Sequence, residues 1–149
     1  MPTLKELAHL GDKRQVVVDD ACKVLDLEVK DKSGISGIAI KTGYKLVQGV
    51  KPGFIPHVVD DLLEDFLDAL DPIYQEAISK RKKPGDYLKE HSGRMTDALL
   101  AITDRRAEKA QRAAIKSMYA KLRPTAKKHV EAAAPRLGEL LDRHAPLTD

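Results

Sequence analysis

Along most of the chain, apolar residues return every three or four positions. Val18, Cys22, Leu25 and Val29 follow one another at spacings of four, three and four. This period stacks side chains on one stripe of a helix and predicts a helix over about residues 13–32. Val16, Val17 and Val18 alone would suit a strand, but the flanking charges and the sustained stripe outweigh three β-branched residues. Before it, Leu4, Leu7, Ala8 and Leu10 follow Thr3, with Glu6 three residues after that threonine. This capping-box pattern predicts a short docking helix over 3–10. The strongest amphipathic run extends from Phe54 to about Ile78. It places Ile55, Val59, Leu62, Phe66, Leu70 and Ile73 on one face and Asp60, Asp61, Glu64, Asp65, Asp68 and Asp71 on the other. Pro72 is expected to kink or restart it, because its ring obstructs the carbonyl four residues back and supplies no N–H.

The second half reads as further helices. Ser92 or Gly93 opens one through Thr103 with Met95, Leu99 and Ile102 inward, and Asp104 is expected to cap the next, which carries Ala107, Ala114, Met118 and Leu122. Pro124 is expected to start the last, kinked at Pro135. Eleven of the 17 alanines lie between Ala98 and Ala134, which predicts close helix approach in that half. Ser79–Asp86, SKRKKPGD, joins a basic run to Pro-Gly and predicts an exposed loop between two parts of one core.

Residues 33–54 have a different pattern. Ile35, Ile38, Ile40, Tyr44, Val47 and Val50 run nearly round a helix, leaving Lys41, Lys45 and Gln48 as a narrow polar stripe. An all-round apolar helix belongs at the centre of a bundle. Gly37, Gly43 and Gly49 each cost roughly 1 kcal/mol relative to alanine there, so close backbone contact or a ligand is expected to offset them. In the ligand reading, Gly37, Ile40, Gly43, Tyr44 and Val47 line a pocket for an acyl chain, and Lys41 or Lys45 meets its anionic head. Lys51-Pro52-Gly53-Phe54 suits a type II turn. No P-loop spacing occurs, which excludes that mode of nucleotide binding.

Charge divides the chain. Residues 1–79 hold nine Lys/Arg against 14 Asp/Glu, whereas residues 80–149 hold 17 against nine. The acidic half is expected to dock on the basic half, within one molecule or across a dimer, or the basic half faces an anion. Arg105, Arg106, Lys109 and Arg112 are the candidate phosphate-binding row for nucleic acid. At 149 residues with 42% apolar and 33% charged residues and 17 Gly plus Pro, one folded domain over 1–149 is expected. A single cysteine, Cys22, excludes an internal disulfide and a multi-cysteine metal site and suits a reducing compartment. With no apolar segment approaching about 18 residues, a cytoplasmic location is expected. The five histidines form no HxxxH or HExxH pair, and no nucleophile motif such as GxSxG occurs. Neither catalysis, nor a metal, nor a cofactor is therefore expected.

SGISGIAIKTGYKLVQGVKPGF, LLEDFLDALDPIY, ALLAITDRRAEKA, AAIKSMYAKLR and APRLGELL together resemble a family of small, uncharacterised bacterial helical proteins with a glycine-rich third helix. The resemblance spans most of the chain and implies a bacterial cytosolic origin and an all-helical fold, and it lends no activity.

The expected architecture is thus all-α, a single compact bundle of about six helices with 35–50 at its centre and both proline-bearing helices around it. The leading functional expectation is a non-enzymatic interaction or scaffolding module, with a protein partner or a second copy. Binding of a lipid-like molecule in the core comes next, then nucleic acid.

Overall fold

The computed structural model describes residues 3–7 and 12–145; among them the chain forms eight helices and no strand. They are α1 (Leu4–Leu7), α2 (Arg14–Asp31), α3 (Gly34–Gln48), α4 (Phe54–Ser79), α5 (Pro84–Glu90), α6 (Ser92–Glu108), α7 (Ala113–Ala132) and α8 (Ala134–His144). Thr3 caps α1, its Oγ1 accepting the Glu6 N–H at 3.2 Å; the expected continuation to Leu10 lies outside the described residues. Gly53 takes φ +74° and the Phe54 N–H donates to the Lys51 carbonyl at 3.2 Å. This is the type II turn expected between α3 and α4.

The central helix is α4, not the glycine-bearing α3. α4 packs against α1, α2, α3, α5 and α6. Its Leu63, Leu67, Ile73, Tyr74 and Ala77 are buried, and they share the core with Val17 and Val18 of α2, Tyr87 and Leu88 of α5, Met95 and Leu99 of α6 and Leu141 of α8. That core takes nothing from α3, whose only buried residues are Gly37 and Gly43. Gly43 lies against α7, Ile40, Tyr44 and Val47 are half-buried, and Ile35, Ile38 and Leu46 are left exposed on the opposite side. In α4 the buried stripe is rotated relative to the expected one, because Leu63, Leu67 and Tyr74 extend its apolar surface past the face that the acidic residues define.

The prolines mark different boundaries from those expected. α4 runs unbroken through Pro72, which stands on the exposed side of the helix, where its ring displaces no core residue. α6 continues through Asp104 to Glu108, and α7 continues through exposed Pro124 to Ala132. Pro135 instead stands in the first turn of α8, where a missing N–H removes no helical hydrogen bond. Pro84 likewise opens α5, and Pro84 and Gly85 are buried, so the expected loop shrinks to Lys80–Lys83. That connection begins with a Schellman-type closure: the Lys82 N–H donates to Ala77 and the Arg81 N–H to Ile78, with Arg81 at φ 54° where glycine is usual.

The closest helix approach joins α5 to α8. A Cβ at Gly85 would lie 2.5 Å from the Gly138 carbonyl oxygen, and one at Gly138 would lie 2.8 Å from that of Gly85. The Gly85 N–H also donates to Asp142 Oδ1 at 2.8 Å. The alanine-rich α7, expected to pack tightly, has no buried residue; alanine's high helix propensity sustains it with little burial.

Candidate interaction surfaces

The two oppositely charged halves meet within one molecule. Arg136 of α8 pairs with Glu28 at 3.0 Å and Asp31 at 2.5 Å, and His144 Nε2 lies 2.7 Å from Asp20. Arg106 of α6 reaches Asp61 at 2.8 Å and Asp65 at 2.9 Å, and Arg94 reaches Glu76 at 2.5 Å. The Arg94 guanidinium and the Tyr87 hydroxyl, both donating to the Glu76 carboxylate, hold its pKa down at about 2. The more exposed of these pairs, such as Arg106–Asp61, contribute little individually, and together the pairs join α6 to α4 and α8 to α2.

A second surface is formed by α3 and α7. On α3, Ile35 is 91% exposed, Ile38 66% and Leu46 44%; at 100° per residue they share one outward stripe with Ala39. The candidate ligand residues divide around this helix. Lys41 and Lys45 are exposed along one flank of the stripe and make no ion pair among the described residues. Ile40, Tyr44 and Val47 are half-buried on the inner side. The Tyr44 hydroxyl donates to Asp26, and burial followed by this acceptor raises its pKa. Gly43 meets α7, where a Cβ would lie 3.0 Å from Leu122 and 3.1 Å from Met118, and Gly37 sits against the Lys32 backbone. Gly43 thus serves the approach of α3 to α7, and Gly37 the tight turn from α2 into α3. From Lys32 to Val59 the chain contains no Asp or Glu, and α7 has one acidic residue, Glu131, among five cations.

The candidate phosphate row is not continuous. Arg106 is committed to Asp61 and Asp65, and Arg112 is exposed at the start of α7. Arg105, Arg106 and Lys109 do come together, on the rim of an open cleft of about 620 Å³ between the first half of α4 and the end of α6. Sequence reasoning missed the cleft because its walls lie some forty positions apart and no local motif links them.

Two helices also bring together a serine and a histidine: His129 Nε2 is 3.1 Å from Ser36 Oγ. Burial, then Lys32 and Lys128, lower the His129 pKa and favour neutral imidazole. Among the described residues no carboxylate hydrogen-bonds the ring, and the Lys32 ammonium donates to the His129 backbone carbonyl at 3.1 Å, so the pair ties α3 to α7 without the constellation of a nucleophile. Cys22 is half-buried, and burial followed by Asp19 and Asp26 raises its thiol pKa, which keeps it a poor nucleophile. Among the described residues no group of three or more His, Cys, Asp or Glu side chains gathers as a metal site, and no helix is long and apolar enough to cross a membrane.

A family model described as a family of unknown function (DUF6918) matches residues 4–145, and the chain belongs to that family. No curated protein and no solved structure matches it.

Proposed function

We propose that this member of the DUF6918 family works by binding rather than catalysis, as a helical interaction module in a bacterial cytoplasm whose contact face is the outer side of α3. The observation that carries the reading is the exposure of Ile35, Ile38 and Leu46 on a helix with no acidic residue. Apolar side chains contiguous on a surface and bordered by charge of one sign mark a recognition site. The matching partner is a protein segment with an acidic flank and an apolar stripe at helical spacing, laid against α3. A second copy is the weaker match. Its α3 would bring two further lysines to the same face, and the densest acidic face, Asp60, Asp61, Glu64, Asp65 and Asp68 of α4, is already paired within the molecule.

A photoreactive amino acid placed at Ile38 tests this, with the same group at exposed Glu139 of α8 as control. The expected product is a crosslink from position 38 to an Asp/Glu-rich amphipathic peptide, lost when Lys41 and Lys45 are both replaced by Glu. Crosslinking equal to that of the control position would overturn the reading.

A further inference from the structure

The cleft between α4 and α6 lies apart from the α3 face and carries an inference of its own. One wall is apolar, made by Val58 and Leu62 from α4 and Ile102 from α6. Beside it stand Asp61 and Asp65, whose carboxylates are taken by Arg106: Nη1 donates to Asp61 Oδ2 at 2.8 Å, Nη2 to Asp65 Oδ2 at 2.9 Å and to the Asp61 carbonyl at 3.2 Å. These contacts also raise the Arg106 pKa. The two carboxylates of α4 thus share a single cation from α6, which offsets one of their two charges and occupies an oxygen of each. Arg105 and Lys109 remain on the rim, exposed and without an ion pair among the described residues. With them the lining holds three cations against two carboxylates.

Each class of ligand meets a different obstacle or opportunity here. A metal ion would compete with Arg106 for both carboxylates. A nucleobase would find no aromatic ring among the lining residues. A molecule with an apolar chain and an anionic end finds both parts of its complement: a dry wall, and two cations at the mouth where a charged head keeps its contact with solvent. The volume, about 620 Å³, lies within the range of small-molecule sites.

We propose that this cleft binds a single-chain amphiphilic anion, its chain against Val58, Leu62 and Ile102 and its carboxylate or phosphate on Arg105 and Lys109.

The test uses the full chain, labelled with nitrogen-15 and titrated with monomeric dodecanoate, dodecyl phosphate, dodecanol or inorganic phosphate. Saturable amide shifts confined to residues 58–65 and 102–110 are expected with the two dodecyl anions. Arg105→Gln and Lys109→Gln should each weaken binding by about tenfold, the scale of a lost charge-assisted hydrogen bond. Neither side chain supports another group among the described residues, so the variants should keep the helical circular-dichroism spectrum of the parent. Dodecanol binding as tightly as dodecanoate would remove the role of the cations. Inorganic phosphate binding as tightly would remove that of the apolar wall. Shifts centred on Ile35–Leu46, or no shift at all, would overturn the site. Because α3 is read separately, failure at the cleft leaves the crosslinking outcome at position 38 untouched.

Discussion

Thr96 is completely buried on α6, and its hydroxyl has no hydrogen-bond partner among the described residues. A buried polar group left unpaired costs about 1–3 kcal/mol, whereas an apolar group of the same shape carries no such penalty. Thr96→Val should therefore stabilise the protein by about 1 kcal/mol, read as a higher urea midpoint at unchanged slope. A variant destabilised by that amount would mean that the hydroxyl is satisfied in solution. The contrast with Glu76 is instructive. Its carboxylate is more accessible yet fully engaged by Arg94 and Tyr87, so a polar group's environment here follows from which neighbours converge on it and not from depth alone.

At the scale of elements, glycines separate two kinds of contact. At Gly138 the obstacle to a side chain is the Gly85 backbone, which cannot rotate away, and at Gly85 it is the Gly138 carbonyl together with the Asp142 carboxylate. At Gly43 it is the ends of Leu122 and Met118, which can rotate away. Gly138→Ala is expected to cost about 3 kcal/mol by overpacking, and Gly43→Ala about 1 kcal/mol or less. Paired thermal melts check this, and equal losses would count against the distinction. The pattern also explains what was legible in advance. Helix existence and the inward residues Met95, Leu99 and Ile102 follow from periodicity, which is local. The Gly85–Gly138 approach joins residues more than fifty positions apart, and nothing in a lone Pro-Gly announces it. The expectation of α3 as the central helix fails for a related reason: periodicity reports how much of a helix is apolar, not how many neighbours cover it, and α4 is the helix that packs against five others. Arg105, Arg106 and Lys109 are visible as cations in sequence, but the cleft they border depends on α4, and Arg106's partners come from that helix.

At the scale of the whole molecule, α3 and α7 form a layer outside the main core, to which α7 contributes only half-buried Val130. Arg123 and Tyr119 tie α7 to Asp104 of α6, Tyr44 ties α3 to Asp26 of α2, and the Ser36–His129 contact joins the two helices of the layer to each other. Burial and the cations Lys32 and Lys128 depress the His129 pKa below its ordinary 6.5. The unfolded chain then binds this proton more readily than the folded one, so the contribution is present above pH 6.5 and lost as pH falls below it. Amide exchange in α3 and α7, corrected for intrinsic rates, should show weaker protection on the acid side of that value, while α4 changes less. His129→Asn should abolish the difference; an unchanged pH dependence in that variant would assign it to another group. A layer built this way has an evolutionary consequence. Ile35, Ile38, Lys41, Lys45 and Leu46 face away from the residues that hold the bundle together, so substitutions there come at little expense to folding. Under the interaction role proposed for α3, descendants of such a protein would be free to exchange one partner for another while α4, α5, α6 and α8 stay under the constraint of packing.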